Sequence, residues 1–241
     1  MSRKLGPAVL ALVVAAALSG CAVGTSGETT SAPGGRARPR HARTGRGDLR
    51  PVNGRPGTAL AALAGLAIKG RAPKTGYSRE QFGDGWASVN GCDVRDRILT
   101  RDLSHRAYSP GDNCHVHSGV LDDPYVAERI DYVRGEESGV DIDHVVALSD
   151  AWQKGAQRWS RAQRIAFAND PLELLAVDEH SNRSKGDGDA ATWLPPSKRF
   201  RCGYVTRQIA VKRRYGVWVT RAEHDAIARV LSRCPGQRLP R

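Results

Sequence analysis

The pattern of apolar and polar residues divides the 241-residue chain into three parts. An apolar run at residues 8–18 follows a basic start and is too short to span a bilayer as a stable anchor, so residues 1–20 are predicted to be a secretory signal. Residues 21–56 contain almost no large apolar side chains and cannot bury enough surface to offset their ordering entropy, which predicts a disordered basic linker. Apolar patterning resumes after this segment, so we expect a single folded domain at residues 57–241.

The folded part mixes helical and strand patterns, which predicts an α+β domain. Apolar spacing and capping signals predict helices at 59–68, at 150–157, from Ser160, at 204–214 and from Thr220. Short β-branched or alternating runs predict strands at 115–120, 130–133, 140–148 and 172–177. A helical insertion separates the last two strands, and a short helix is expected to hold residues 182–185.

Cys21 ends the sequence Leu18-Ser19-Gly20-Cys21, which resembles a bacterial lipoprotein box. The resemblance implies cleavage before Cys21, lipidation of its thiol and attachment to a membrane. Ordinary signal cleavage nearby, with Cys21 left free, is the alternative. Either outcome predicts an extracellular or cell-envelope location.

The other four cysteines are even in number, which in an exported protein favours two disulfides. Three connectivities are possible, and the lower entropy cost of closing shorter loops favours Cys92–Cys114 and Cys202–Cys234. A zinc site is the alternative, although its spacing matches no common zinc finger. Its ligands would be Cys92, Cys114, His115 and His117.

The formal net charge of +12 is spread along the chain rather than concentrated in the folded part. Residues 21–56 and residues 57–241 each carry a net charge of +5. A mildly basic domain is compatible with nucleic acid as a partner but does not require one.

The chemistry of the chain is concentrated in residues 139–189. Asp143 and His144 lie side by side at the end of an apolar run, and Asn182 opens a polar segment that contains Lys185. Carboxylate and amide oxygens are hard ligands suited to Mg²⁺. A histidine can take a proton from water near neutral pH, so this set of side chains suits metal-assisted hydrolysis.

The same residues resemble an HNH endonuclease, and in particular secreted actinobacterial HNH proteins related to the C-terminal nuclease domain of the GmrSD restriction enzymes. The central motif is Asp143-His144-Val145-Val146, followed by Asn182-x-x-Lys185. Similar segments outside it are 69–77, Cys92-Asp93-x-Arg95, Asp150-Ala151-Trp152 and Trp193-Leu194-Pro195-Pro196. The resemblance therefore covers residues 57–241.

The resemblance implies a ββα-metal core, in which two strands and a helix converge on one divalent ion. It implies that His144 is the general base, that Asp143 and Asn182 are metal ligands, and that Lys185 contacts a phosphate or screens the transition state. Mg²⁺ is the implied ion, with Mn²⁺ as the alternative. The implied function is hydrolysis of DNA by a secreted or lipid-anchored endonuclease with little sequence specificity.

Two positions near the motif admit more than one interpretation. Asp141 is expected either to orient His144 or to face solvent. Many HNH proteins have an asparagine in the second strand that anchors the loop carrying the histidine, and the nearest equivalent here is Glu173, which as a carboxylate accepts but does not donate hydrogen bonds. Asn169 and Asp170 are alternative anchors.

The basic and aromatic residues add little to this interpretation. The tryptophans are expected in the core rather than in a base-stacking platform. A phosphate track, or merely a solvated surface, is expected for Arg183, Lys198, Arg199 and Arg201.

Two other functions remain open from the sequence. A non-catalytic lipoprotein that binds the cell envelope would account for the signal, the linker and the disulfides. A metal-dependent phosphodiesterase acting on RNA or a nucleotide would use the same site.

Overall fold

A computed structural model describes residues 54–240. The predicted signal at 1–20, the predicted lipidation site Cys21 and residues 21–53 of the predicted linker lie outside these described residues. None of the helices in 54–240 combines the length and the apolar character that crossing a membrane would need.

The described part of the chain is an α+β structure, as the sequence predicts, with seven helices and seven short strands. The helices are α1 Ala59–Ala64, α2 Val94–Asp102, α3 Leu148–Gln153, α4 Arg161–Ala168, α5 Glu179–Lys185, α6 Arg201–Tyr215 and α7 Arg221–Leu231. The strands are β1 Ser88–Val89, β2 Cys92–Asp93, β3 Leu103–Tyr108, β4 Val116–Asp122, β5 Arg129–Val133, β6 Val140–His144 and β7 Leu174–Asp178. They form three antiparallel sheets of order β1-β2, β3-β4-β5 and β6-β7.

The β6-β7 pair lies between two apolar cores. Ile142, Leu174 and Ala176 pack in a core shared with α2 and the three-stranded sheet. Leu175 and Val177 face the opposite way, into a core built mainly by helices. Because successive side chains of a strand point to opposite faces, burial on both sides explains why β7 is almost entirely apolar.

A buried ionic network holds the helical core together. The ammonium of Lys154 lies 2.7 Å from Asp150, 2.8 Å from Asp189 and 2.6 Å from Glu223. Lys212 also bonds Asp150 and Glu223, at 3.3 and 2.8 Å. Charges this deeply buried are tolerated only when they are paired, so the network joins α3, α6 and α7 to the segment that follows α5.

Local capping signals position the helices as the sequence predicts. Ser160 and Gln163 form a capping box at the start of α4, and Thr220 and Glu223 form another at the start of α7. The sequence Ser78-Arg79-Glu80-Gln81 also has the form of a capping box and predicts a short helix or turn; Ser78 makes no side-chain cap, and residues Arg79–Phe82 form a 3-10 turn.

Several predicted boundaries were wrong. The first helix ends at Ala64, with Gly65 as its cap, instead of extending to residue 68. The strand predicted at 140–148 ends at His144, because the next two backbone amides bond Glu173 and α3 begins at Leu148. Helix α2 has no counterpart among the predicted helices, although Asp93 caps it by accepting a hydrogen bond from the amide of Asp96.

The structure contains both predicted disulfides, Cys92–Cys114 and Cys202–Cys234, with Cα separations of 5.5 and 6.5 Å. The second, which we call the C-terminal disulfide, joins the start of α6 to the segment after α7. The alternative zinc site was wrong, because Cys92 and Cys114 are bonded to each other and cannot provide thiolate ligands.

Candidate active site

The site is formed by β6, β7 and the helix that follows directly. Asp141 and Asp143 lie two residues apart on β6 and share one face of the sheet. Asn182 and Lys185 lie three residues apart on α5, which packs on β6 and β7. These four residues and His144 line one pocket of about 390 Å³, which we call the central pocket.

Asp143 is buried and is held by two donors. Its Oδ1 accepts a hydrogen bond from the ammonium of Lys185 at 2.7 Å, and its Oδ2 accepts one from the hydroxyl of Tyr125 at 2.5 Å. Burial raises the pKa of Asp143, and the charge of Lys185 opposes that shift. Each carboxylate oxygen has a second lone pair, so these bonds leave acceptor capacity for another partner.

Lys185 is buried, with a side chain 1% exposed. Its ammonium also donates to the backbone carbonyl of His144 at 2.8 Å, so it binds both residues at the end of β6. The expected contact with a phosphate would require this ammonium to leave two short hydrogen bonds.

The ring of His144 is held in one tautomer by its surroundings. Its Nε2 lies 3.0 Å from the backbone carbonyl of Ala168 at the end of α4, and a carbonyl can only accept a hydrogen bond. Nε2 therefore carries the proton, and the lone pair of the neutral ring is on Nδ1. Burial, with the nearby charge of Arg79 second, lowers the pKa of His144 to about 3, so the ring stays neutral near pH 7.

Trp86 lies parallel to the His144 ring, with an interplanar angle of 6° and centroids 5.7 Å apart. The amide of the next residue, Ala87, donates to the side chain of Asn169, which directly follows α4. The same end of α4 thus positions both the ring of His144 and the aromatic ring beside it.

Asn182 is oriented by Asp141. Its Nδ2 donates to Asp141 Oδ2 at 2.6 Å, so Asp141 contacts Asn182 and not His144, and the expectation that it orients the histidine was wrong. An ionised carboxylate only accepts hydrogen bonds, so the end of the Asn182 amide that faces Asp141 must be the nitrogen. The amide oxygen of Asn182, Oδ1, is left for another ligand.

Glu173 anchors the loop after His144, in spite of the residue type. Its carboxyl group accepts a hydrogen bond from the amide of Val146 at 3.1 Å, and its backbone carbonyl accepts one from Val145 at 2.9 Å. The side chain is fully buried, and burial raises the pKa of Glu173 well above its ordinary value. The alternative anchors have other partners: Asn169 bonds Ala87, and Asp170 bonds residues of α6.

With this geometry in place, comparison with known proteins identifies the family. Residues 93–230 match the family model for the C-terminal domain of GmrSD restriction endonucleases, which is more than half of the chain. The chain belongs to this family. It is also 37% identical over 180 residues to a protein of Arthroderma benhamiae described as an uncharacterized secreted protein, covering 73% of this chain and 85% of that one. No solved structure matches the chain.

Membership of the GmrSD C-terminal domain family confirms the resemblance found in the sequence and indicates a nuclease. The matched range contains every residue of the candidate site on β6 and α5, and it also contains Tyr125, which no sequence pattern predicts as part of the site. A lone tyrosine between two strands gives no local signal, since its partner is 18 residues away in sequence.

None of the four residues of the predicted phosphate track lines the central pocket of this GmrSD-family protein. Arg201 donates to the carbonyl of Pro195, and Arg199 lines a separate pocket beside Asp123. Arg183 pairs with Glu179 on the exposed side of α5. The arginines that line the central pocket are Arg79 and Arg95 instead.

A cluster of conventional metal-binding side chains lies elsewhere, at Asp112, Cys114 and His115. The sulfur of Cys114 is bonded to Cys92, so this cluster offers only one carboxylate and one imidazole as strong ligands. Family membership and the oxygen donors around Asn182 make the central pocket the better candidate for a metal site.

Proposed function

We propose that this protein is a secreted, metal-dependent endonuclease that hydrolyses DNA phosphodiester bonds, with His144 as the general base. The observation that carries the proposal is the hydrogen bond from His144 Nε2 to the Ala168 carbonyl, because it leaves Nδ1 as the basic atom of a neutral ring. His144 lines the central pocket together with Asp141, Asp143 and Asn182.

The donor set fits a hard divalent cation. Asp143 and Asn182 would be the protein ligands, and Asp141 lies close enough to orient the Asn182 amide. Oxygen donors of this kind suit Mg²⁺, with Mn²⁺ as the alternative. When bound, such an ion stabilises negative charge on the phosphoryl oxygens and on the leaving oxygen. The β6-β7-α5 unit would then be a ββα-metal core.

The residues of the chain supply the proton transfer. Nδ1 of His144 takes a proton from the attacking water as the water oxygen forms its bond to phosphorus and the bond to the leaving oxygen breaks. The Ala168 carbonyl accepts from Nε2 throughout, so it keeps the ring in place and stabilises the imidazolium that forms. A proton from solvent completes the leaving hydroxyl group.

Lys185 would act by holding the site together. Its ammonium binds Asp143 and the His144 carbonyl at once, so it fixes a ligand and the base relative to each other. Direct contact of Lys185 with a phosphate remains the alternative role.

A plasmid-nicking assay on the mature secreted protein tests the proposal. His144→Ala should reduce nicking by about 100-fold or more, the usual contribution of a general base. The matched control is His117→Ala, because His117 is exposed on β4 and should leave activity unchanged. EDTA should abolish nicking, and Mg²⁺ or Mn²⁺ should restore it. The proposal would be refuted by full activity of His144→Ala, or by the failure of the unmodified protein to cleave with either ion.

The preferred nucleic acid is tested by assaying cleavage of duplex DNA, single-stranded DNA and RNA by the same protein. We expect cleavage of DNA with weak sequence preference, and faster cleavage of RNA would favour the alternative phosphodiesterase.

We also propose an extracellular or cell-envelope location, which the two disulfides and the secreted relative support. Anchoring through a lipid on Cys21 is tested by the mass of the mature protein. An unmodified Cys21 would exclude the anchor.

A further inference from the structure

Two further pockets share lining residues with the central pocket. One neighbour, of about 400 Å³, shares Arg79, Trp86 and His144 with the central pocket. The other, of about 540 Å³, shares Arg95 with it. Arg79 and Arg95 therefore each line both the central pocket and one of its neighbours.

Neither arginine is neutralised by a carboxylate in the described part of the chain. Arg79 is exposed and forms no ion pair with residues of 54–240, since Asp84, which lines the same neighbouring pocket, pairs with Arg161 instead. Arg95 stacks on Tyr132, with its guanidinium carbon 5.8 Å from the ring centroid, and donates to the Tyr132 hydroxyl at 3.3 Å. A guanidinium held against an aromatic ring keeps its other donors available for an anion.

The acidic residues of the central pocket are already engaged. Asp143 is paired with Lys185, and Asp187 is paired with Lys74 at 2.6 Å. Asp141 bonds the amide of Asn182. Within the central pocket, with the ion pairs set aside, two guanidiniums remain against the one carboxylate of Asp141, and a bound divalent cation would make this pocket more positive still. The neighbouring pockets also contain acidic residues, of which Asp84 pairs with Arg161 and Glu179 pairs with Arg183; the others are Glu80, Glu136 and Glu137.

We propose that Arg79 and Arg95 bind the phosphates on either side of the scissile one, so that the substrate strand runs from the Arg79 pocket across His144 to the Arg95 pocket. This inference rests on the proposed function, since it takes the substrate to be a nucleic-acid strand. Guanidinium groups suit this role because they bind phosphate oxygens through two parallel hydrogen bonds. Phosphates along a strand recur regularly, so two such contacts orient the strand without reading its sequence.

Binding without cleavage tests the inference. The protein is the full mature chain carrying His144→Ala, in EDTA, and the probe is a fluorescent DNA duplex of mixed sequence and about 20 base pairs, titrated over a range of KCl concentrations. Arg79→Gln and Arg95→Gln should each weaken binding about tenfold and reduce the slope of log K against log salt by about one. The basic N-terminal segment is the same in every variant, so it does not affect the differences.

Two further variants separate a local contact from a general loss of charge. Arg199→Gln removes the same charge from a pocket beside Asp123, and we expect the salt slope to be unchanged. Arg95→Lys keeps the charge and should recover most of the slope, whereas recovery would fail if Arg95→Gln acted by disturbing Tyr132.

Each outcome has a distinct meaning. The assignment of Arg79 and Arg95 would be overturned if the protein that keeps both arginines had the same salt slope as the two Gln variants. It would also be overturned if Arg199→Gln reduced the salt slope by the same amount. If the protein nicks DNA but its DNA binding does not depend on these arginines, only this inference is refuted. If the protein binds DNA through these arginines but never nicks it, the proposed catalytic function is refuted and the assignment of the arginines to DNA binding stands.

Discussion

Replacing Lys185 with methionine removes a buried ammonium group and keeps most of the side-chain volume. In the native protein that ammonium lies 2.7 Å from Asp143, and the two side chains are 1% and 4% exposed. The substitution leaves the hydroxyl of Tyr125 as the remaining side-chain donor to the Asp143 carboxylate within residues 54–240. A buried charge that loses its partner typically costs about 3–5 kcal/mol of unfolding free energy.

The pH dependence of that cost follows from the linkage between ionisation and folding. Without Lys185 the folded-state pKa of Asp143, already raised by burial, rises further above its unfolded value. Asp143 can therefore take a proton, and at pH 7 the electrostatic penalty cannot exceed about 4 kcal/mol, the cost of protonating a carboxyl about three pH units above its unfolded pKa. The penalty is largest near neutral pH and shrinks toward zero as the pH falls to about 4, where the unfolded chain also binds the proton.

Urea unfolding in EDTA at neutral pH and near pH 5 measures this penalty. The matched control is Lys74→Met, which breaks an ion pair whose two side chains are each 52% exposed, and which should cost less than about 1 kcal/mol. Adding Asp143→Asn to Lys185→Met should recover much of the lost stability without restoring nicking. A loss below about 1 kcal/mol for Lys185→Met, or a loss that does not shrink in acid, would refute the argument that Lys185 stabilises a buried carboxylate.

Three other predictions concern the surroundings of the site. Glu173→Gln keeps an acceptor for the Val146 amide and should keep activity, whereas Glu173→Leu should cost about 1–3 kcal/mol and lower nicking; equal activities would contradict the anchoring role. Replacing both cysteines of the C-terminal disulfide with serine should lower the unfolding free energy by about 4 kcal/mol, from the entropy of a loop of 32 residues, with nicking kept at 25 °C; chemical denaturation checks this. Asp112 raises the pKa of His115, chiefly by a hydrogen bond, so their pairing should be complete below the ordinary pKa of histidine and lost as the pH rises through the raised value. An NMR titration should show this raised pKa return to normal in Asp112→Asn.

Local patterns were sufficient for several parts of the fold. The capping boxes at Ser160 and Thr220 are short-range signals, and both begin helices as predicted. The pairing of the cysteines followed from loop length alone. Residues 94–102 give only a weak helical pattern, because three apolar residues alone mark the buried side of α2.

The α+β class, the disulfide pairing and the identity of Asp143, His144 and Asn182 as candidates were determined by the sequence, because each depends on residue type and on spacing along the chain. The roles of their neighbours depended on tertiary structure. Lys185 reaches Asp143 across 42 residues and the Ala168 carbonyl reaches His144 across 24, so neither contact has a local signal. A lysine in a polar segment looks exposed in a sequence, and only the packing of α5 on β6 buries it against a carboxylate. For the same reason, no spacing rule could show that Arg79 and Arg95 line one pocket together with His144.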